Sequence, residues 1–247
     1  MTPPPSGLLE ALRQDTHKQP YVDWVFSRVA ERYDLGNDLM SAGWHSRWKD
    51  RLVAFARIQP SHRVLDIAAG TGDVTYRLGA LAHHGEVIGS DINPDMLAVA
   101  EHKRPGGMSH VRFSIDDAAS LPFEDNSFDR VTCVYAGRGF PDFPAVLSEV
   151  FRVLKPGGEY WNLDFARPPN RLFDRAYRGY MMASGAALGT LLHGHPKTYM
   201  YIPASMAAYP GQRWLDRQMQ AVGFETWLVE TFGCLMAYNL GVKPRHR

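Results

Sequence analysis

Apolar residues recur at helical spacing from Tyr21 to about Met40, at Val22, Val25, Phe26, Val29, Ala30 and Tyr33, and this predicts a helix. Trp44, Trp48, Leu52 and Phe55 carry the same period into a second helix. At Arg63 the period changes. Val64-Leu65-Asp66-Ile67 is a short, mostly apolar run that ends in a glycine turn, which reads as a buried strand. Val87–Gly89, Val111–Phe113 and Arg130–Tyr135 read as further strands, with helical patterns between them at Asp95–His102 and Ala145–Val153. Strands alternating with helices predict an α/β fold with a doubly wound, mostly parallel, Rossmann-like sheet. Pro156-Gly157-Gly158 predicts a turn before a strand at Glu159–Phe165. Residues 167–209 break the rhythm with aromatic, Met, Gly and Ala residues, and read as an inserted helical cover over a pocket. A helix at Gln212–Val222 and strands at Glu225–Glu230 and Leu235–Leu240 close the chain. Residues 1–20, with Pro3, Pro4 and Pro5, read as a loose arm, and residues 21–247 as one domain without internal repeats.

Composition narrows the function classes. The 247 residues are enough for one α/β domain with a large core. Lys and Arg number 27 against 26 Asp and Glu, so there is no electrostatic footprint for nucleic acid. Cys133 and Cys234 stand far apart, and neither a disulfide framework nor a metal site is expected. The Met-Thr-Pro-Pro-Pro start lacks the basic and apolar regions of a signal peptide. The stretch Met181–Leu192 is shorter than the ~20 residues a spanning helix needs. A cytoplasmic protein is expected; peripheral contact with a membrane and pairing as a homodimer are left open.

The candidate chemistry begins at Asp66-Ile67-Ala68-Ala69-Gly70-Thr71-Gly72-Asp73, where a strand turns sharply into a helix. Gly70 and Gly72 lack Cβ atoms and let a ligand approach the backbone, and Asp66 can accept from a cationic amino group. The turn departs from G-x-G-x-x-G, which argues against a dinucleotide pyrophosphate. About 20 residues on, Asp91 ends the next strand and can take both hydroxyls of a ribose, with Ile92 lying on adenine. Asp116-Asp117-Ala118 follows a third strand, where Asp117 can accept from the adenine amino group while Ala118 donates a backbone N–H. Any one of these acids alone reads as a helix cap or loop residue; three at successive strand ends, in order, read as a nucleoside site.

These segments, with Asp125–Asp129 and Arg152-Val153-Leu154-Lys155-Pro156-Gly157-Gly158, resemble a class I S-adenosylmethionine-dependent methyltransferase. The resemblance implies that S-adenosyl-L-methionine is the cofactor and that Asp66, Gly70, Thr71, Gly72, Asp91, Asp117 and Ala118 line it. A rarer pattern runs from Val25 through Arg28, Tyr33, Asp34, Asn37 and Met40 to Gly43-Trp44-His45 and Trp48-Lys49. It is similar to the N-terminal signature of the ubiquinone/menaquinone-ring C-methyltransferases of the UbiE/MenG type. The similarity continues through Leu163–Pro168, Tyr199–Ile202, Tyr209–Gln212 and Gly241–Lys243.

That resemblance implies methylation of a ring carbon on a demethylated quinol, a demethylmenaquinol or ubiquinol precursor with a prenyl tail. Such a ring must first become electron-rich by losing a phenolic proton, so a group that stabilises the phenolate is needed. Arg138, Tyr33 and His45 are the catalytic candidates. Arginine is too basic to be an ordinary neutral base, so Arg138 is assigned to phenolate stabilisation or to polarising a water; core packing is the competing reading of Tyr33 and His45. Met181, Met182, Leu188, Leu191, Leu192, Tyr199, Tyr201 and Met206 read as core or as a channel for a lipid tail. The chain departs from the family pattern at Gly139, where asparagine is usual, at Cys234 and Asn239, and at Val134, where a small polar residue often meets the cofactor. Two other readings stay open: methylation of another small aromatic or polyketide-like metabolite, and a non-catalytic cofactor-binding subunit of a quinone-biosynthesis complex.

Overall fold

The computed structural model describes residues 15–194, 197–231 and 233–245. Seven strands form one sheet: β1 Arg63–Ile67, β2 Glu86–Asp91, β3 Val111–Ile115, β4 Phe128–Val134, β5 Leu154–Phe165, β6 Glu225–Thr231 and β7 Met236–Val242. Their order is β3-β2-β1-β4-β5-β7-β6. The first five are parallel, and β7 runs antiparallel to both β5 and β6. The strand order reverses between β1 and β4, the switch point where doubly wound sheets bind ligands at the carboxyl ends of their strands.

The side-chain period of two sorts the strand residues into two cores. Leu65, Ile67, Ile88 and Val131 pack with α6 (Phe143–Val153) and α9 (Gln212–Val222), through Leu147, Val150, Leu215 and Met219. Val64, Val87 and Val111 pack instead with α3 (Trp44–Phe55) and α4 (Asp73–Leu81), through Leu52, Val53 and Leu78. Both faces are covered, as the continuous apolar runs predict for parallel strands.

The N-terminal region differs from its expected outline. Helix α1 (Asp15–Val29) begins inside the stretch read as a loose arm, and residues 1–14 of that arm lie outside the described residues. The single helix expected from Tyr21 to Met40 is broken by a 3-10 turn at Ala30–Arg32, which starts a new helix, α2, at Tyr33–Ser41. Periodicity did not reveal the break because apolar residues fall on both sides of it in register. Pro156-Gly157-Gly158 lies within β5, where a turn before a strand was expected. Gly157 takes a φ of +82°, and the pairing with β4 shifts register between Phe128 and Arg130. The glycines thus make an irregularity inside a long strand.

Residues 167–209 supply α7 (Arg171–His193) and α8 (Lys197–Ala208), joined side by side. Asn170 caps α7 by accepting from the amides of Leu172 and Phe173. Tyr201 on α8 packs with Tyr21 and Val25 of α1. Helix α5 (Pro94–His102) is capped by Asn93, whose amide group also donates to Ser27 of α1 at 3.0 Å. The N-terminal helices and the inserted pair therefore close over the carboxyl ends of the strands.

Candidate active site

The turn after β1 is shaped by backbone in the left-handed region. Ala68 has φ +52° and Gly70 φ +57°, and Tyr135, directly after β4, has φ +61°. Non-glycine residues rarely sit there, and these two follow the pair of strands that define the switch point. A cavity of about 380 Å³ opens between them. Gly70, Asp91, Ile92, Asp117, Ala118 and Val134 all line it.

Asp91 is held by main-chain donors: the amide of Gly70 donates to Oδ2 at 2.8 Å and that of Asn93 to Oδ1 at 2.9 Å. Burial pushes its pKa up, while these amides pull it down. A carboxylate offers about four lone-pair sites, so two donors leave acceptor capacity facing the cavity. Gly70 thus orients a carboxylate as well as opening the backbone. Ile92 is 41% exposed and presents its side chain at the rim. Asp117 accepts from the Ala119 amide at 2.9 Å, which shapes the turn carrying Ala118.

Three of the expected cofactor residues do not reach this wall. Asp66 is buried beneath it, and both its oxygens accept from hydroxyls, Oδ2 from Thr75 at 2.7 Å and Oδ1 from Thr132 at 2.6 Å. Desolvation raises its pKa to about 6. Thr71 turns inward and donates to Asp34 at 2.8 Å, fastening α2 to the turn. Gly72 is the N-cap of α4 with φ +76°, and a Cβ there would come within 2.8 Å of Phe113. The spacing located the turn; the direction of each side chain out of it depended on which helix lay behind.

A second cavity of about 180 Å³ lies between α2, α3, α7 and α8. Met40, Trp44, Trp48, Phe165, Tyr177, Tyr180, Met181 and Ile202 make most of its wall apolar. The two cavities share Phe26, Tyr33, Tyr135, Arg138 and Tyr201. Tyr33 and Arg138 therefore stand at the junction. Arg138 is 7% exposed, donates from Nη1 to Asp164 Oδ1 at 2.9 Å, and lies 4.7 Å over the ring of Phe165. Burial raises the pKa of Asp164, and the adjacent guanidinium opposes that rise. Tyr33 is pushed above the usual phenol value, first by burial.

His45 lines only the second cavity. Ser41 Oγ donates to the Asn37 carbonyl at 2.7 Å, so the 3.0 Å contact of His45 Nδ1 with that oxygen requires the Nδ1–H tautomer. Burial and Lys49 lower the His45 pKa, leaving a neutral ring at pH 7. Sequence reasoning gave Asp164, Tyr135 and Phe165 no role, although Asp164 and Phe165 fall in the family-like stretch Leu163–Pro168, and it read Tyr201 as core or tail channel. A carboxylate ending β5, beside the strand that delivers Arg138, was the available signal for Asp164.

The chain as a whole matches a known group of proteins. A profile of the ubiE/COQ5 methyltransferase family covers residues 14–243. The chain belongs to this family. It is 40% identical over 221 residues to the demethylmenaquinone methyltransferase of Thermus thermophilus, covering 89% of this chain and all of that one. It is 38% identical to the ubiquinone/menaquinone biosynthesis C-methyltransferase UbiE of Stutzerimonas stutzeri, covering 93% and 91% of the two chains. The fold agrees with that of an S-adenosylmethionine-dependent methyltransferase from Aquifex aeolicus, at TM-score 0.58 and 15% identity over 79% of this chain and 89% of that one. One from Thermotoga maritima aligns at TM-score 0.61 and 18% identity, over 89% and 98%. This family member is a methyltransferase whose cofactor is S-adenosyl-L-methionine. Among the described residues, no helix is long and apolar enough to cross a membrane.

Proposed function

We propose that this methyltransferase transfers a methyl group to a ring carbon of a demethylated, prenylated quinol of the demethylmenaquinol type. The observation that carries the reading is the meeting of a carboxylate-bearing cavity at the switch point, which has Asp91, Asp116 and Asp117 on its wall, with an apolar, aromatic cavity, at a wall that holds Arg138 and Tyr33. The residues present fit the cofactor: a carboxylate oriented by two amides faces a turn opened by Gly70. Asp91 would hold the ribose hydroxyls, Ile92 would lie on adenine, and Asp117 and Ala118 would meet its edge. Asp66, Thr71 and Gly72 would keep the turn in shape from behind. When bound, S-adenosylmethionine supplies an electrophilic methyl group, whose bond to sulfur breaks as the ring carbon takes it.

The chain's own residues prepare the ring. Phe165, Tyr177 and Met181 pack on the ring and hold it flat. Arg138 stabilises the oxygen left negative when the phenolic proton passes to a water at the junction of the two cavities, and the ring regains aromaticity by losing its C–H proton the same way. Between apolar walls such charge stabilisation is worth more than in solution. Tyr33 orients the oxygen from α2, and neutral His45 lines the wall farther along.

A tail leaving the second cavity would emerge between α2 and α7. Leu35, Leu39, Tyr180 and Leu191 are exposed there, and α7 carries no charged residue from Gly179 to Leu192. Arg32 adjoins this face, donating to the Leu192 carbonyl at 2.8 Å. Apolar side chains beside an arginine suit the surface of a membrane with anionic lipids, and this face is proposed as the peripheral contact.

The test is incubation with labelled S-adenosylmethionine and a panel of demethylated quinols and soluble phenols, followed by mass spectrometry to locate the new methyl. Transfer to a ring carbon of the prenylated quinols is expected. Preference for soluble phenols would move the substrate to another class, and cofactor binding without any transfer would leave a non-catalytic subunit.

A further inference from the structure

Three buried side-chain donors at the junction have no partner: Arg138 Nε, Tyr135 Oη and Tyr201 Oη. Arg138 spends Nη1 on Asp164 and Nη2 on the Tyr135 carbonyl at 3.3 Å, which leaves its buried Nε unpartnered. Tyr201 is 4% exposed, lines both cavities, and its buried hydroxyl is likewise unpartnered. Unpaired buried polar groups are costly, so a cluster of them on one wall points to a ligand that satisfies them.

The Tyr201 ring is held from the other side. It stands edge-on to Phe26 and tilted against Tyr21, each at 6.2 Å between ring centroids. Space in front of the hydroxyl depends on Gly139. A Cβ there would lie in contact with Tyr201 Oη, at 3.5 Å, and 3.1 Å from the Ala136 carbonyl.

We propose that Arg138 Nε and Tyr201 Oη form a two-donor site for the phenolate oxygen of the substrate, making Tyr201 a substrate-binding catalytic residue. The inference rests on the phenolic substrate proposed above. Both groups donate and the oxygen accepts, so the charge of the guanidinium, already balanced by Asp164, is supplemented by a neutral donor at the atom where charge develops. Donors placed this way stabilise the transition state more than the protonated ground state.

Tyr201→Phe keeps the ring and its packing and removes only the hydroxyl. Single-turnover methyl transfer to a prenylated 1,4-naphthalenediol should slow on the order of a hundredfold, with S-adenosylmethionine affinity unchanged. A second readout needs no turnover. A nitronaphthol bound with S-adenosylhomocysteine reports its own ionisation by absorbance, and its pKa on the wild-type protein should lie below its solution value. Tyr201→Phe and Arg138→Gln should each raise that bound pKa, by about one unit for Tyr201→Phe. No binding to the wild type, binding without a downward shift, or a folded Tyr201→Phe protein unchanged in both readouts overturns the two-donor site. If the optical shift is present and depends on Tyr201, but no quinol is methylated, the two-donor site stands and the proposed substrate falls.

Discussion

Asp91 and Asp66 are both acids at strand ends, yet their surroundings give them different work. Asp91 keeps free acceptor positions toward a cavity, whereas Asp66 spends both oxygens on threonine hydroxyls. Asp91→Ala should weaken S-adenosylmethionine binding by on the order of 1–3 kcal/mol in calorimetry; unchanged affinity in a folded variant would remove Asp91 from the cofactor site. Asp66 affects stability instead. Its folded pKa of about 6 lies above the ordinary 3.8, so the folded state holds the proton more tightly. Its contribution is fully present below pH 4 and is lost as pH rises through 6, by on the order of 3 kcal/mol. Asp66→Asn should abolish that loss, read as the difference between variant and wild-type urea midpoints at pH 4 and pH 7.5. Parallel midpoints would show that Asp66 ionises normally. Arg138 combines both kinds of work, because Arg138→Gln also leaves Asp164 buried and unpaired. The single variant should lose stability and about a hundredfold in turnover. Adding Asp164→Asn should recover the melting temperature but not the turnover. Recovery of turnover in the double variant would mean that the arginine serves only the fold.

Among the elements, the α7–α8 pair decides where Tyr201 stands. The helices approach closely because Gly185 and Gly189 of α7 are buried against α8. A Cβ on Gly185 would already come within 3.1 Å of the Tyr199 carbonyl. Gly185→Leu should push α8 outward and carry Tyr201 with it. Methyl transfer to quinol should fall at least tenfold while S-adenosylmethionine affinity changes little, since Asp91, Asp117 and the β1 turn stand at strand ends of the sheet and not on α7 or α8; equal losses in both would show that the two cavities form one mechanical unit. The amino-acid pattern marked 167–209 as an insertion because aromatic, Met, Gly and Ala residues interrupt the strand–helix rhythm there, and the structure fills it with two helices. It did not foretell the break at Ala30–Arg32, which sets Tyr33 at the start of a new helix.

For the whole molecule, α2 and α7 both line the second cavity and both carry exposed apolar side chains, Leu35 and Leu39 on one and Tyr180 and Leu191 on the other. If the face proposed as the peripheral contact rests on lipid, the protein should co-sediment with vesicles containing anionic lipid and release them as salt rises. Leu35→Glu with Leu191→Glu should abolish sedimentation and leave turnover on a short-chain quinol intact. Concentration-dependent dimers with no vesicle binding would assign the face to a second copy of the chain.

What the chain's residues determined by themselves was local and periodic. Val64–Ile67 and its counterparts declared buried parallel strands, and the spacing of the small-residue turn, Asp91 and Asp117 put them at successive strand ends, where the structure finds Gly70, Asp91 and Asp117 on one cavity wall. The N-terminal signature, similar to quinone-ring methyltransferases, carried the function. Tertiary structure decided what depends on contacts between distant segments. It sent Asp66 and Thr71 inward, to Thr132 and Asp34, at separations of 66 and 37 residues. It paired Arg138 with Asp164, 26 residues away, and brought Tyr201 from the inserted helices to the same wall. A side chain's direction and its partner across the fold follow from packing, and no spacing along the sequence encodes either.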